Sequence, residues 1–281
     1  MKLLRCDFDD GIRAAVKNNG QIIDVVKADS SDAGSFIQSL RHLTRDGTDY
    51  LKDVANKAPE SAYNSESEVD ILSPIGSEGR LFALGGVYTR HLREHDASLN
   101  KVPSQWLVPK TAIVGPNEPI ILLERIKESV MPAVELCIVI GQRGKYIEER
   151  NAMKYVAGYS IANDLTARAD WPGAMAYKLI DTFSPCGPGV TPRDQIRNIN
   201  SLKMTLHQDG ECICEGSTAS MRFSIPFLIS YLSSIIELRP GDIISTGDPG
   251  RVKRELIVGE PIRASIEGVG SIQNPVTTPQ K

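Results

Sequence analysis

The sequence predicts a mainly β protein of the α+β kind, its strands curled into a sheet or roll and preceded by a small N-terminal domain. Two patterns carry this expectation. Short apolar runs recur along the chain with turn residues between them, and the first runs are separated by Asp10-Gly11 and Asn19-Gly20, dipeptides that favour tight hairpins. Helical periodicity is sustained in few places, so strands do not alternate with helices as a βαβ fold requires.

Taken in order, residues 3–6, 12–16 and 22–26 read as hairpin strands. Phe36, Leu40 and Leu43 stand at helical spacing and are followed by Leu51 and Val54, which predicts two short helices within 34–56. Residues 56–70 (NKAPESAYNSESEVD) show no periodicity and read as a linker, so the N-terminal domain and linker are assigned to 1–69 and the main domain to 70–281. In the main domain, strands are expected at 81–84, 112–114, 134–140, 156–161, 204–207, 242–245 and 262–266. One helix is well signalled. Ser224 stands as N-cap, Pro226 lies in the first turn, and Phe227, Leu228, Tyr231, Leu232, Ile235 and Ile236 form an apolar stripe. Arg239-Pro240-Gly241 ends it. There is no internal repeat and no low-complexity tract.

With 281 residues, 41% hydrophobic and 24% charged, the chain can bury a substantial core. A net charge of −3 removes the electrostatic reason to expect a nucleic-acid partner. No apolar run is long enough to span a membrane, and the start, MKLLRCDFDDG, lacks a signal-peptide core. A cytoplasmic location is expected. The five cysteines form no CxxC pair and read as reduced thiols; Cys212 and Cys214 read as two neighbouring thiols on a strand, because tetrahedral zinc needs more ligands than are near.

His91 and Glu94 lie three apart, so on a helical turn they share a face and can hydrogen-bond, a glutamate orienting an imidazole as general base. A solvated loop with an incidental ion pair is the plainer alternative. The overlapping run His91-Leu92-Arg93-Glu94-His95 also spells H-x-x-E-H, a zinc-protease pattern. That enzyme class needs the motif on a long buried helix, against which Arg93 and the polar residues 90–100 argue. Glu135 falls within the apolar run 134–140, where an unpaired carboxylate is costly to bury, so a cation or basic partner is expected.

Seven segments, in order over about 200 residues, resemble the fumarylacetoacetate hydrolase (FAH) family: GGVYTRHLRE (85–94), AVELCIVIG (133–141), VAGYSIANDLTAR (156–168), KLIDTFSPCGP (178–188), FSIPFLISY (223–231), RPGDIISTGDP (239–249) and IEGVGSIQNPV (266–276). The N-terminal hairpins resemble the small leading domain of bacterial members. The resemblance implies an FAH-type mixed β-sandwich roll with a small N-terminal α/β domain, a homodimer, and a small-molecule substrate that is a 2,4-dioxo acid or another enolisable β-dicarbonyl. It implies Mg²⁺ or Mn²⁺ as cofactor and, by default, hydrolysis of a carbon–carbon bond, with the metal stabilising an enolate and His91 and Glu94 activating water. Residues 88–102 would form a lid.

Residue by residue, Glu135 and Asp164 match two of the family's metal carboxylates. The third would fall two residues before Glu135, on the same strand face, where this chain has Ala133; metal binding is expected to be weakened or absent. Lys178 matches a lysine that contacts substrate or oxyanion, and here its ammonium is expected to pair with Glu135 or Asp164 in place of the missing cation. Arg168 resembles a substrate-facing arginine, and the link from it to Lys178, with Asp170 and Trp171, is shorter than usual. Thr246-Gly247-Asp248-Pro249 resembles a T-G-T-P turn that, with Tyr88, binds substrate. Asp248 stands for the second threonine and would repel a carboxylate unless Arg251 or a metal offsets it. Val87 and Ser220 stand where polar Asn and Asp are common. These departures keep two alternatives open: a metal-independent isomerase, dehydratase or cyclase using the same dyad, and a non-catalytic paralogue of the fold.

Overall fold

The computed structural model describes residues 1–28, 34–89, 101–126, 130–168 and 177–279. The Asp-Gly and Asn-Gly turns join three strands, Lys2–Phe8, Gly11–Asn18 and Gln21–Asp24, in antiparallel succession. The third strand stops at Asp24 instead of continuing to Val26. Asp24 Oδ1 accepts the backbone N–H of Val26 (2.9 Å) and starts the short helix Val25–Ala28, while Arg13 donates to the same buried carboxylate at 2.7–3.0 Å. A buried anion that also caps a helix ends the strand at that point. The two expected helices follow as Phe36–Asp46 and Thr48–Lys57, burying Phe36, Leu40 and Leu43 from one and Leu51 and Val54 from the other.

The stretch read as a linker is built into the sheet. Strand Tyr63–Ser65 pairs with Gln21–Asp24, and Asp70–Leu72 pairs with Lys2–Phe8. Its strands are three residues each, too short for an alternating pattern to register in sequence.

A single sheet runs through most of the molecule. Lys2–Phe8 pairs with Ser184–Pro192, which pairs with Val156–Asn163, and then follow Val134–Ile140, Ile243–Ser245, Leu81–Gly85 and Ser104–Val108. Ser184–Pro192 (SPCGPGVTP) is a strand that the apolar-run pattern does not mark, since prolines and glycines are unfavourable within strands. A second, four-stranded sheet is ordered Glu211–Ser217, Lys203–Gln208, Ile262–Ile266, Gly270–Asn274. Helix Ile225–Ile235 starts where Ser224 Oγ accepts the N–H of Phe227 at 3.2 Å. No helix among the described residues is long and apolar enough to cross a membrane.

Every residue of strand Val134–Ile140 is buried. Leu136, Ile138 and Ile140 face a core shared with the second sheet and helix Ile225–Ile235, through Met204, Ile266 and Leu228. Cys137 and Val139 face the N-terminal helices, through Leu40 and Leu43. Covering on both faces explains why this run is apolar at every position but Glu135 instead of alternating. The N-terminal helix reaches the sheet closely at Gly141, just past the strand's end. A Cβ there would meet the Leu40 carbonyl oxygen at 2.6 Å and the Thr44 hydroxyl at 1.7 Å. Gly141→Ala is therefore expected to destabilise the protein by about 1–3 kcal/mol, the usual cost of overpacking, read as a lowered urea midpoint.

Candidate active site

Glu135, near the start of the doubly covered strand, is 3% exposed. Its Oε2 accepts two hydrogen bonds, from Ser245 Oγ at 2.6 Å and from the Gly247 N–H at 3.1 Å. Both donors come from the neighbouring strand Ile243–Ser245 and the turn that leaves it. That turn needs glycine: Gly247 has φ +82°, and a Cβ would lie 2.9 Å from the Leu84 carbonyl oxygen. Asp164 follows strand Val156–Asn163, and its backbone N–H donates to the Ala133 carbonyl at 3.0 Å. This pairing sets Asp164 beside the start of the Glu135 strand. The Lys178 ammonium donates to Asp164 Oδ2 and stands 5.3 Å from the centre of the Trp106 ring. The pair is nearly dry, with side-chain exposures of 15% and 6%.

Glu135 and Lys178 open onto a cavity of about 910 Å³ whose wall also includes Ala133, Arg168, Asp248 and Arg251. Tyr88 and Thr246 are placed behind it: both are fully buried, with the Tyr88 hydroxyl 3.3 Å from Thr246 Oγ1 and 3.8 Å from Met204 Sδ. They support the turn from within the core. His91 and Glu94, with Asp170 and Trp171, lie outside the described residues. Two neighbours of the ionic cluster escaped sequence reasoning. Ser245 sits in the RPGDIISTGDP segment, but nothing local assigns its hydroxyl to Glu135. Trp106 carried no periodic signal at all.

The electrostatics are dominated by burial. Burial pushes the Glu135 carboxyl well above its usual range, and the charges of Asp164 and Asp248 push the same way, against Lys178 and the Ser245 hydrogen bond. Asp164 is also raised, by burial first and by Asp248, although Lys178 opposes the shift. For Lys178, burial alone would lower the pKa, but Asp164, Glu135 and Asp248 outweigh it and the ammonium is held more firmly than usual. The cavity therefore keeps a fixed positive charge at its wall, flanked by carboxylates that favour a proton.

The donor set can be tested against the Mg²⁺ or Mn²⁺ implied by resemblance. Ala133 presents a methyl group where the strand would place a further carboxylate, and Lys178 already bonds Asp164. Among the described residues, no three His, Cys, Asp or Glu side chains are grouped closely enough to hold a metal ion. Among the described residues, Glu135 and Asp164 are thus fewer carboxylates than the resemblance implies for such an ion, and Asp164 is already bonded by Lys178.

Residues 80–277 match the family described as fumarylacetoacetate (FAA) hydrolase, C-terminal. The mitochondrial oxaloacetate tautomerase fahd2 of Xenopus laevis is 33% identical over 294 aligned positions, covering 98% of this chain and 90% of the relative. Among solved structures, maleylpyruvate hydrolase from Sphingobium sp. SYK-6, in complex with manganese(II) and pyruvate, superposes with a TM-score of 0.81 at 25% identity over 100% of both chains. A 5-carboxymethyl-2-hydroxymuconate delta-isomerase from Mycobacterium smegmatis gives 0.76 at 25% identity, again over 100% of both chains.

The raised Glu135 carboxyl has a consequence for stability. A folded-state pKa above the unfolded value of about 4.3 means that its favourable contribution is full below that pH and is lost as pH rises toward the folded value. Glu135→Gln keeps an oxygen for Ser245 and Gly247 and removes the charge. From pH 4 to pH 8 the urea midpoint of the wild type is expected to fall relative to that of the variant; parallel curves would contradict the assignment.

Proposed function

This chain belongs to the fumarylacetoacetate hydrolase family, and we propose that it is an enzyme that tautomerises or isomerises a small 2-oxo acid through an enolate, with the Lys178 ammonium supplying the charge that a metal supplies elsewhere. One observation carries the reading: at the cavity wall Lys178, bonded to Asp164, stands with Ala133, whose methyl group takes the place where the resemblance implies a further carboxylate. The relative named as an oxaloacetate tautomerase and the structural neighbour named as a delta-isomerase support the same class of reaction.

The steps follow from the side chains. Arg168 and Arg251 on the cavity wall attract the substrate carboxylates and offset Asp248. A base removes a proton from the carbon beside the carbonyl. The C–H electron pair becomes the carbon–carbon double bond, and the carbonyl π pair moves onto oxygen. The nearly dry Lys178 ammonium stabilises that oxyanion, where a preorganised charge acts more strongly than in water. Return of a proton to oxygen gives the enol, and its return to carbon gives the keto form or a shifted double bond. By resemblance His91 is the base and Glu94 its orienting partner.

A second reading, hydrolysis of a carbon–carbon bond in a 2,4-dioxo acid, is supported by the likeness to maleylpyruvate hydrolase. Two measurements separate them. With oxaloacetate, followed by the ultraviolet absorbance of its enol, the protein is expected to speed interconversion equally before and after EDTA. Lys178→Met is expected to lower kcat about 10²- to 10³-fold, and His91→Ala to abolish turnover. Activity that EDTA removes and Mn²⁺ restores, or release of pyruvate from maleylpyruvate at a higher rate, would favour hydrolysis. Calorimetry completes the comparison: Ala133→Glu is expected to bind Mn²⁺ at least tenfold more tightly than the wild type.

A further inference from the structure

At the far end of the Val134–Ile140 strand lies a second cavity, of about 580 Å³, lined by Arg41, Arg45, Arg143, Lys154 and Arg193 and by no carboxylate. Its distance from Glu135 is about 20 Å, six residues of extended strand. The five cations come from separate parts of the chain. Arg41 and Arg45 lie on helix Phe36–Asp46, and Arg143 lies just beyond the strand. Lys154 and Arg193 lie on the 3-10 helices Glu149–Tyr155 and Arg193–Gln195.

Among the described residues, two of the five are neutralised nearby, Arg45 by Asp46 and Arg143 by Glu237. The other three bond neutral acceptors among the described residues. Arg41 donates to Gln38 Oε1 at 3.1 Å and Lys154 to Asn151 Oδ1 at 3.0 Å. Arg193 donates to the backbone carbonyls of Met153 and, at 3.3 Å, Thr44, which fixes its guanidinium at the seam between the N-terminal helix and the large sheet. In a chain of net charge −3, this gathers uncompensated positive charge in one concavity. The cavity is only about as wide as the screening length of roughly 8 Å at physiological ionic strength, so the charges repel one another when no anion is present. Its volume lies within the range of roughly 300–1,000 Å³ typical of metabolite pockets.

We propose that this cavity binds a small polyanion, a metabolite bearing two or more phosphate or carboxylate groups, at a site separate from the candidate active site. Arginine forks suit both kinds of oxyanion. The charge is confined to a pocket and does not form a stripe, which favours a small molecule over nucleic acid. The inference is independent of the reaction proposed above.

The test is calorimetric titration of the full chain with inorganic pyrophosphate and, separately, with citrate, at 20 and 150 mM salt. One binding event per chain is expected for at least one probe, weakening as salt rises. Arg41→Ala combined with Lys154→Ala is expected to weaken it at least tenfold, with no loss in urea midpoint because both side chains are exposed. Binding of pyrophosphate alone would assign a phosphate-bearing ligand, binding of citrate alone a polycarboxylate, and equal binding a site that reads charge. The proposal is overturned if neither probe binds, if the double variant binds as the wild type does, or if binding survives in the double variant and disappears in Arg251→Ala, which would place the anion in the active-site cavity.

Discussion

A carboxylate on a strand covered on both faces must have its charge answered from inside the protein, and Glu135 on strand Val134–Ile140 is that carboxylate. The local architecture is consistent with this demand. Strand Ile243–Ser245 brings a hydroxyl and ends in a turn whose second residue must be glycine, so that a backbone N–H reaches the same oxygen. Strand Val156–Asn163, paired on the other side, delivers Asp164. Lys178 then supplies an ammonium that these carboxylates share electrostatically. Removing a buried charge partner typically costs about 3–5 kcal/mol, so the cluster is held by mutual need.

The same cluster explains how a site built around carboxylates can tolerate Ala133. A divalent cation and an ammonium both lower the energy of an oxyanion, but they make different demands on the protein. The cation needs a set of oxygen donors around it. The ammonium needs its own desolvation offset, which Asp164 does through a direct bond and Glu135 and Asp248 through their fields. With a methyl at position 133, the geometry favours the ammonium. Proton transfer next to a carbonyl needs little more than this charge and a base, whereas hydrolysis also requires a positioned water.

The large sheet places two differently charged cavities at the two ends of one strand. The wall at Glu135 carries acidic and basic side chains together; the one beyond Gly141 carries basic side chains and no carboxylate. The N-terminal helix contributes to the second because Gly141 permits its close approach, and Arg193 ties that helix to the 3-10 segment beneath it. The N-terminal strands are likewise continuous with the rest through the pairing of Leu3 with Val190.

Sequence by itself determined the elements whose signals are local. These are the hairpins at Asp-Gly and Asn-Gly, the two helices with Leu40 and Leu51, the Ser224-capped helix, and the strand that is apolar but for Glu135. It also carried the family, because motifs in register survive without knowledge of their contacts. Tertiary structure alone decided the rest. Ser184–Pro192 became a strand near the centre of the sheet against its own proline and glycine content, since neighbours on both sides supply the pairing. Glu135 gained its serine, Lys178 chose Asp164 and lay near Trp106, and Tyr88 and Thr246 withdrew into the core. Five basic residues scattered over about 150 positions became one cavity only through strand pairing. Short-range propensity is written residue by residue, but charge pairing depends on distance in space, and only the folded chain sets that distance.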